Sequence, residues 1–293
     1  MPPMLRHRLT FGVLMVVALV GLLWGDQALG PVSVSGGLAL PAGLPMLIAF
    51  MVLIWLGVGE LDAMLKLRGL HPQRGLATLG AWAVCLAAYL KPAYPGVDHA
   101  AVLASLFAGL FLTAMVRHSV PLKRTEGAAS AGGAVLLGVA YLGVLPGFYL
   151  ELRAMGTAWL VAGVMLVTKA CDIGAYFTGR SLGRRKLIAW LSPGKTVEGL
   201  VGGLLLSGVT AALLAAAGNR WGLAGDRTLP LAGAAAGGVL LGGLGHVGDL
   251  LESLLKRDAG VKDSGASVPG FGGVLDVVDS PLLVAPLAYW LLA

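Results

Sequence analysis

Nine stretches of this chain are apolar over roughly the length of a bilayer crossing, and no motif constrains its fold as strongly. They lie at about 9–25, 43–64, 75–90, 99–116, 128–149, 157–178, 197–217, 228–251 and 274–293, the third and the last being short or interrupted. Crossing about 30 Å of hydrocarbon takes around 20 apolar residues as a helix. Lipid offers no partner to an open backbone group, so such segments must satisfy their own N–H and C=O groups. The expected fold is therefore all-α, a polytopic integral membrane protein of about nine transmembrane helices. Composition agrees: 57% of residues are hydrophobic and 12% charged, about half the ~25% of a soluble globular chain. The 45 glycines suit close helix–helix approach in lipid.

Lysine and arginine set an orientation. With a cytoplasmic N-terminus, sixteen of them fall in inside segments, among them Arg6, Arg8, Lys66, Arg117, Arg180, Lys195, Lys256 and Lys262. Outside loops hold four, Lys91, Arg153, Arg220 and Arg227, and Lys169 falls within a span. This positive-inside bias also supports the span count, since losing one span would scramble the alternation. Topology and anionic headgroups account for the net charge of +6, so no nucleic acid is expected as a partner. The first span has a basic flank (Arg6, His7, Arg8) and is followed by Ala28-Leu29-Gly30, which loosely imitates a cleavage site. It is read as a retained signal anchor, because cleavage would misplace the later charges. Cys85 and Cys171, both in apolar segments, read as packing residues.

The chain divides by chemistry into residues 1–155, about five spans with few polar groups inside, and 156–293, about four spans with two polar loops at 179–196 and 252–273. Glu60 and Asp62 read as an interfacial helix end near Lys66. The second part differs. Lys169 and Asp172 lie deep in or at the end of the sixth span, His246, Asp249 and Glu252 end the eighth, and Asp276 and Asp279 start the ninth. An ionisable residue within a membrane costs at least about 2.5–3.5 kcal/mol on insertion scales, which makes each a functional candidate. All three groups are expected on the cytoplasmic side.

The first motif runs from Asp172-Ile-Gly-Ala-Tyr-Phe-Thr-Gly-Arg180 through Ser192-Pro-Gly-Lys-Thr-Val-Glu-Gly199. A carboxylate beside glycine-rich turns and several cations suits a nucleoside triphosphate, because lysine, arginine and backbone N–H groups neutralise phosphate oxygens. An ordinary basic loop is the alternative. Gly194-Lys195-Thr196 is not a phosphate-binding P-loop, since Ala189 stands where that pattern needs glycine and no strand is expected before it.

The second motif spans Gly248 to Ser280. Asp249, Glu252, Ser253 and Lys256 share one helix face, and so do Asp276 and Asp279. Carboxylates offered by two helices suit a hard cation such as magnesium, which takes oxygen ligands and substrate phosphates. Local ion pairing could explain part of this, but not six acids and three bases in thirty-one residues of so apolar a chain.

The run Ser253-Leu-Leu-Lys-Arg-Asp-Ala-Gly-Val-Lys-Asp-Ser-Gly265 through Pro269-Gly-Phe-Gly-Gly-Val-Leu-Asp276-Val-Val-Asp279 resembles the signature of phosphatidate cytidylyltransferases, the CDP-diacylglycerol synthases. The two upstream blocks are similar to that family's in order and spacing, and the resemblance covers about residues 168–282. It implies transfer of CMP from CTP to phosphatidate, giving CDP-diacylglycerol and pyrophosphate. It also implies magnesium, with potassium as a second ion, in a homodimer of the inner membrane. Asp249, Asp276 and Asp279 are the metal ligands it implies. Lys256, Arg257 and Asp172 join Asp249 and Asp276 in catalysis. Arg180, Lys195, Glu198, Ser253, Lys262 and Asp263 bind the nucleotide or its phosphates.

Three positions depart from the pattern. Phe271 stands where histidine is usual, Val277 where arginine is usual between the terminal aspartates, and Gly194 where lysine is usual. Phosphoryl-type transfer depends mainly on positioning and charge neutralisation, so activity is expected to survive. The departures leave room for an altered lipid substrate or for a degenerate paralogue. A CTP-dependent lipid kinase is the nearest rival. A secondary transporter would place its acids near mid-membrane in repeated halves, and no repeat is seen. The Asp-Gly…Ala-Arg…Gly…Asp…Asp pattern of CDP-alcohol phosphotransferases is absent.

Overall fold

The structure, a computed structural model, describes residues 3–34, 38–223, 225 and 228–293. Among them, nine helical stretches are long and apolar enough to cross a membrane, and the protein is a polytopic all-α membrane protein. The helices are α1 (Pro3–Leu29), α2 (Leu44–Leu67), α3 (Arg74–Leu90), α4 (His99–Leu122), α5 (Ala128–Val139), α6 (Leu145–Met155), α7 (Ala158–Leu182), α8 (Val197–Trp221), α9 (Leu231–Asp258) and α10 (Leu275–Leu292). A π-helical turn, Ala140–Val144, joins α5 to α6, so the two form one crossing, Ala128–Met155. The helix α9 runs about two turns beyond the expected end at 251, carrying Lys256 and Arg257 in its last turn. Arg227, one of the four cations counted to the outside, lies outside the described residues.

Two short antiparallel strand pairs were not foreseen. The strands β1 (Val32–Val34) and β2 (Leu38–Leu40) pair after α1, with Val32 opposite Leu40. In the basic loop, β3 (Lys186–Ile188) pairs with β4 (Ser192–Thr196), Lys186 opposite Thr196 and Ile188 opposite Ser192, with an irregularity between. Strands of three to five residues are too short for period-two patterning to stand out.

The chain forms two compact units. One comprises the chain through Glu151 together with Asp258–Val277; the other comprises Leu152–Arg257 and Val278–Ala293. The segment Asp258–Val277, which includes most of the second motif, thus groups with the N-terminal spans.

In the first unit, Ile54, Val58 and Leu61 of α2, Ala81, Val84 and Cys85 of α3, and Val135 and Val139 of α5 are buried. A Cβ on Gly143 would stand 2.8 Å from the Ala81 Cα, so glycine is what lets the π-helical turn lie against α3. The buried Asp26 accepts from the Met46 N–H at 3.3 Å, satisfying a donor in the first turn of α2. By contrast α1 and α4 present Val13, Val17, Leu112 and Val116 outward, as lipid-facing helices do.

In the second unit, α7 and α8 pack through small residues. A Cβ on Gly174 would lie 3.0 Å from both the Gly202 carbonyl oxygen and the Gly203 Cα. Such contact replaces the hydrophobic drive that lipid does not supply between helices. The buried Ser207 hydroxyl of α8 lies 3.1 Å from the Val167 carbonyl of α7 and 2.6 Å from the Gly238 carbonyl of α9, tying the three together. Thr157 and Thr196 cap α7 and α8, accepting from the Leu160 and Gly199 N–H groups at 3.2 and 3.1 Å.

Candidate active site

The second unit gathers acids from three helices. One carboxylate oxygen each of Asp249 and Glu252 from α9 and Asp279 from α10 lie within 4.8 Å of one another. Glu252 is fully buried and Asp279 nearly so. The i, i+3 spacing puts Asp249 and Glu252 one above the other, and Gly248 lets α10 come close. A Cβ at Gly248 would sit 2.7 Å from the Asp279 carbonyl oxygen and 3.4 Å from the Ser280 Cα.

Lysines counter the acids. The Lys195 ammonium lies 2.8 Å from Asp249, and 3.4 Å from the His246 carbonyl. Lys169 lies 3.2 Å from Asp172 and 3.9 Å from Asp279. Lys256 is 2.5 Å from Glu252. The Ser280 hydroxyl stands 3.1 Å from Asp172 and 3.0 Å from Asp279, linking α7 to α10. At an effective dielectric of about 20, two carboxylates 4.8 Å apart repel by about 3 kcal/mol. Three together in a largely apolar surround therefore call for positive charge. Lysines supply some, and the all-oxygen donor set fits a hard divalent ion. The Nε2 of His246, buried one turn before Asp249, has no hydrogen-bond partner among the described residues.

In the first unit the second motif folds into a bracket around another carboxylate. Asp276 Oδ2 accepts from the Ser264 N–H at 2.9 Å and the Gly273 N–H at 2.7 Å, and the Ser264 hydroxyl lies 2.9 Å away. Glu60 of α2 accepts from the Val274 and Leu275 N–H groups at 2.8 and 3.0 Å, and its other contact is the Ser264 hydroxyl at 3.0 Å. Two acids thus take up donors at the start of α10 that the helix cannot satisfy itself. The turn bends through Gly270 and Gly272, at φ +85° and +101°, a conformation that side chains with a Cβ resist.

A model of the cytidylyltransferase family matches residues 7–293. The chain belongs to the cytidylyltransferase family. It is 39% identical to a phosphatidate cytidylyltransferase of Bacillus subtilis over 163 residues, 55% of this chain and 58% of that protein. Identity to the phosphatidate cytidylyltransferase of Haemophilus influenzae is 42% over 132 residues, 44% of this chain and 43% of the relative. For that of Synechocystis it is 39% over 186 residues, 53% of this chain and 60% of the relative. The chain spans about half the length of the curated relatives it matches.

The positions that the cytidylyltransferase resemblance singled out fall in different surroundings. Asp172, Lys195, Asp249 and Asp279 meet in the acid cluster, with Lys256 on its Glu252 edge. Arg257 is exposed in the last turn of α9, and Ser253 is half-buried beside Glu252. Arg180 donates to the Tyr176 hydroxyl at 2.8 Å. Glu198 accepts from the Arg184 and Arg185 N–H groups at 3.0 and 3.2 Å, fastening the basic loop to the start of α8. Lys262 and Asp263 are exposed in the first unit, next to Ser264. Phe271 is half-exposed, and a Cβ at Gly12 would stand 3.5 Å from its ring.

The sequence reading left out several contributors. Glu252 was read on the carboxylate face of α9 but not among the metal ligands, and His246 was noted only as an ionisable candidate, though both lie at one-turn spacing from Asp249. Lys169 carried the same signal, three residues before Asp172. Asp62 does pair with Lys66, at 2.6 Å, but its carboxylate is buried. Glu60 does not belong to the expected interfacial helix end. It is buried against the signature turn, and nothing local in α2 marks it.

Proposed function

We propose that this protein transfers CMP from CTP to phosphatidate, yielding CDP-diacylglycerol and pyrophosphate. The observation that carries the reading is the grouping of Asp249, Glu252 and Asp279 with Lys195 and Lys169 in a membrane-spanning member of the cytidylyltransferase family. Asp249, Glu252 and Asp279 would hold magnesium, which when bound neutralises triphosphate charge and stabilises the oxygens of the transferring phosphoryl group. The resemblance also gives Asp276 a metal role and adds potassium as a second ion.

The chain's own residues supply the rest. Lys195, Lys169 and Lys256 place ammonium groups where phosphate oxygens can replace carboxylates as partners. A phosphate oxygen of phosphatidate bonds to the α-phosphorus of CTP. The bond from that phosphorus to the bridging oxygen breaks, and its electron pair leaves with pyrophosphate. The acceptor is already ionised at neutral pH, so no strong general base is needed. The fixed dipoles and cations act by positioning and charge neutralisation.

The location proposed is the inner membrane, as a homodimer with the N-terminus cytoplasmic. The basis for the orientation is the sixteen-to-four division of Lys and Arg. A second reading, favoured by Phe271 and Val277 at positions where the resembling family usually has histidine and arginine, is cytidylyl transfer to another lipid phosphate. The decisive assay follows pyrophosphate release from CTP by the purified protein, with phosphatidate, with other lipid phosphates and with none. Phosphatidate-dependent pyrophosphate with CDP-diacylglycerol supports the proposal. CDP as the released product would identify a kinase instead.

A further inference from the structure

Within the second unit a cavity of about 450 Å³ opens among α7, α8, α9 and α10. It lies toward the helix ends opposite the acids: its walls include Trp159 near the start of α7, Leu214 late in α8 and Leu291 at the end of α10. Among the described residues, no lining side chain apart from the Trp159 indole can form a hydrogen bond or carry a charge, so a polar ligand would find no side-chain partner among them. The volume is within the roughly 300–1,000 Å³ of small-molecule pockets. One end of it is held in place by polar contacts just outside the lining. Leu229 is clasped by the Asn219 side chain through bonds of 2.8 and 2.9 Å, and the Leu223 carbonyl accepts from the Thr157 hydroxyl.

The other end points to an occupant. Val167 and Leu241 line the wall, and on the same helices Asp172 follows five residues after Val167 and Asp249 eight residues after Leu241. At 1.5 Å per residue those steps are about 8 and 12 Å along the helix axes. That is the scale of the glycerol and ester groups that separate a lipid phosphate from the start of its hydrocarbon. We propose that this cavity is an acyl-chain subsite, taking one fatty chain of the phosphatidate whose phosphate lies at the acid cluster. The inference rests on the acceptor being phosphatidate and assigns it a chain-length preference.

Two glycines on the wall allow a direct test, because a Cβ at Gly163 or Gly237 would meet its nearest neighbour at 3.9 or 3.8 Å, ordinary contact. Gly163→Leu and Gly237→Leu should fill the cavity, with Gly163→Ala and Gly237→Ala as folding controls. In detergent-purified full-length protein, the leucine variants should raise KM for dioleoyl phosphatidate about tenfold or more, the scale of hydrophobic-pocket discrimination. KM for dioctanoyl phosphatidate and for CTP should not change. An unchanged long-to-short ratio in variants that melt like the parent overturns the subsite.

A second arm works even where a variant fails to fold. Phosphatidate with a diazirine at the end of one chain should label peptides within residues 159–167 or 229–241 of the unaltered protein. Unlabelled phosphatidate should compete, and phosphatidylethanolamine should not. Equal competition by phosphatidylethanolamine means that bulk bilayer lipid fills the cavity, and the proposal falls. Turnover with no label in those peptides removes the subsite and leaves the reaction standing. Phosphatidate-selective label with no turnover keeps the subsite and sinks the reaction.

Discussion

The buried carboxylate of Glu60 lies 3.0 Å from the hydroxyl of Ser264, 204 residues further along the chain. The same carboxylate accepts from the N–H groups of Val274, just before α10, and of Leu275, its first residue. An acid from the N-terminal spans therefore fastens the signature turn, and Gly265 and Gly273 leave it room. A Cβ at Gly265 would stand 3.0 Å from Glu60, and one at Gly273 would overlap both Glu60 and Ser264.

Glu60→Ala should leave two backbone donors buried without partners. Each such loss costs about 1–3 kcal/mol, so the melting temperature in detergent should fall and turnover should fall with it. Glu60→Gln keeps one acceptor oxygen and should lie between. A Glu60→Ala protein that melts and turns over like the parent would show that the turn holds itself.

Removing an acid of the cluster should weaken divalent binding before it affects folding. Asp249→Asn and Asp279→Asn are each expected to lower affinity for manganese, followed by its electron paramagnetic resonance signal, by about tenfold or more, the scale seen when metal-site partners are removed. CMP transfer should fall at least in parallel. Unchanged manganese affinity in both variants would remove the cluster as a metal site.

Lys195→Met separates charge from geometry. It takes away the cation 2.8 Å from Asp249, and truncating one partner of a partly desolvated pair typically costs about 2–5 kcal/mol. KM for CTP should rise at least tenfold while KM for the lipid holds, and Lys195→Arg should restore part of the loss. An equal rise in both constants would point to a purely structural lysine.

Gly248→Ala tests the approach of α9 to α10. Its new methyl would meet the Asp279 carbonyl oxygen at 2.7 Å, so the helices must part or strain. Overpacking of this kind costs about 1–3 kcal/mol. Lower turnover and weaker manganese binding are expected, whereas parent-like values for both would mean that the acids do not depend on this contact.

Asp276→Asn distinguishes two roles. As the acceptor that gathers Ser264 and Gly273, its oxygen can be replaced in part by an amide oxygen, with modest loss of stability. As a metal ligand, it cannot be replaced without loss of divalent affinity. Parent-like manganese affinity in this variant confines Asp276 to the turn.

Span count and helical class follow from local patterns, because each crossing must be apolar along its own length and satisfy its own backbone. The pairing of Asp249 with Glu252 and of Lys169 with Asp172 is equally local, set by the helical repeat. Asp279 beside Asp249, Lys195 on Asp249 and Ser280 between Asp172 and Asp279 depend on how helices distant in sequence pack. The sequence marked those residues as polar but could not say which would meet. The Glu60 contact was hidden further, since a glutamate near a helix end has a sufficient local explanation in water and headgroups. Both acids are buried, and only tertiary packing decided that Asp62 pairs with Lys66 while Glu60 reaches the signature turn.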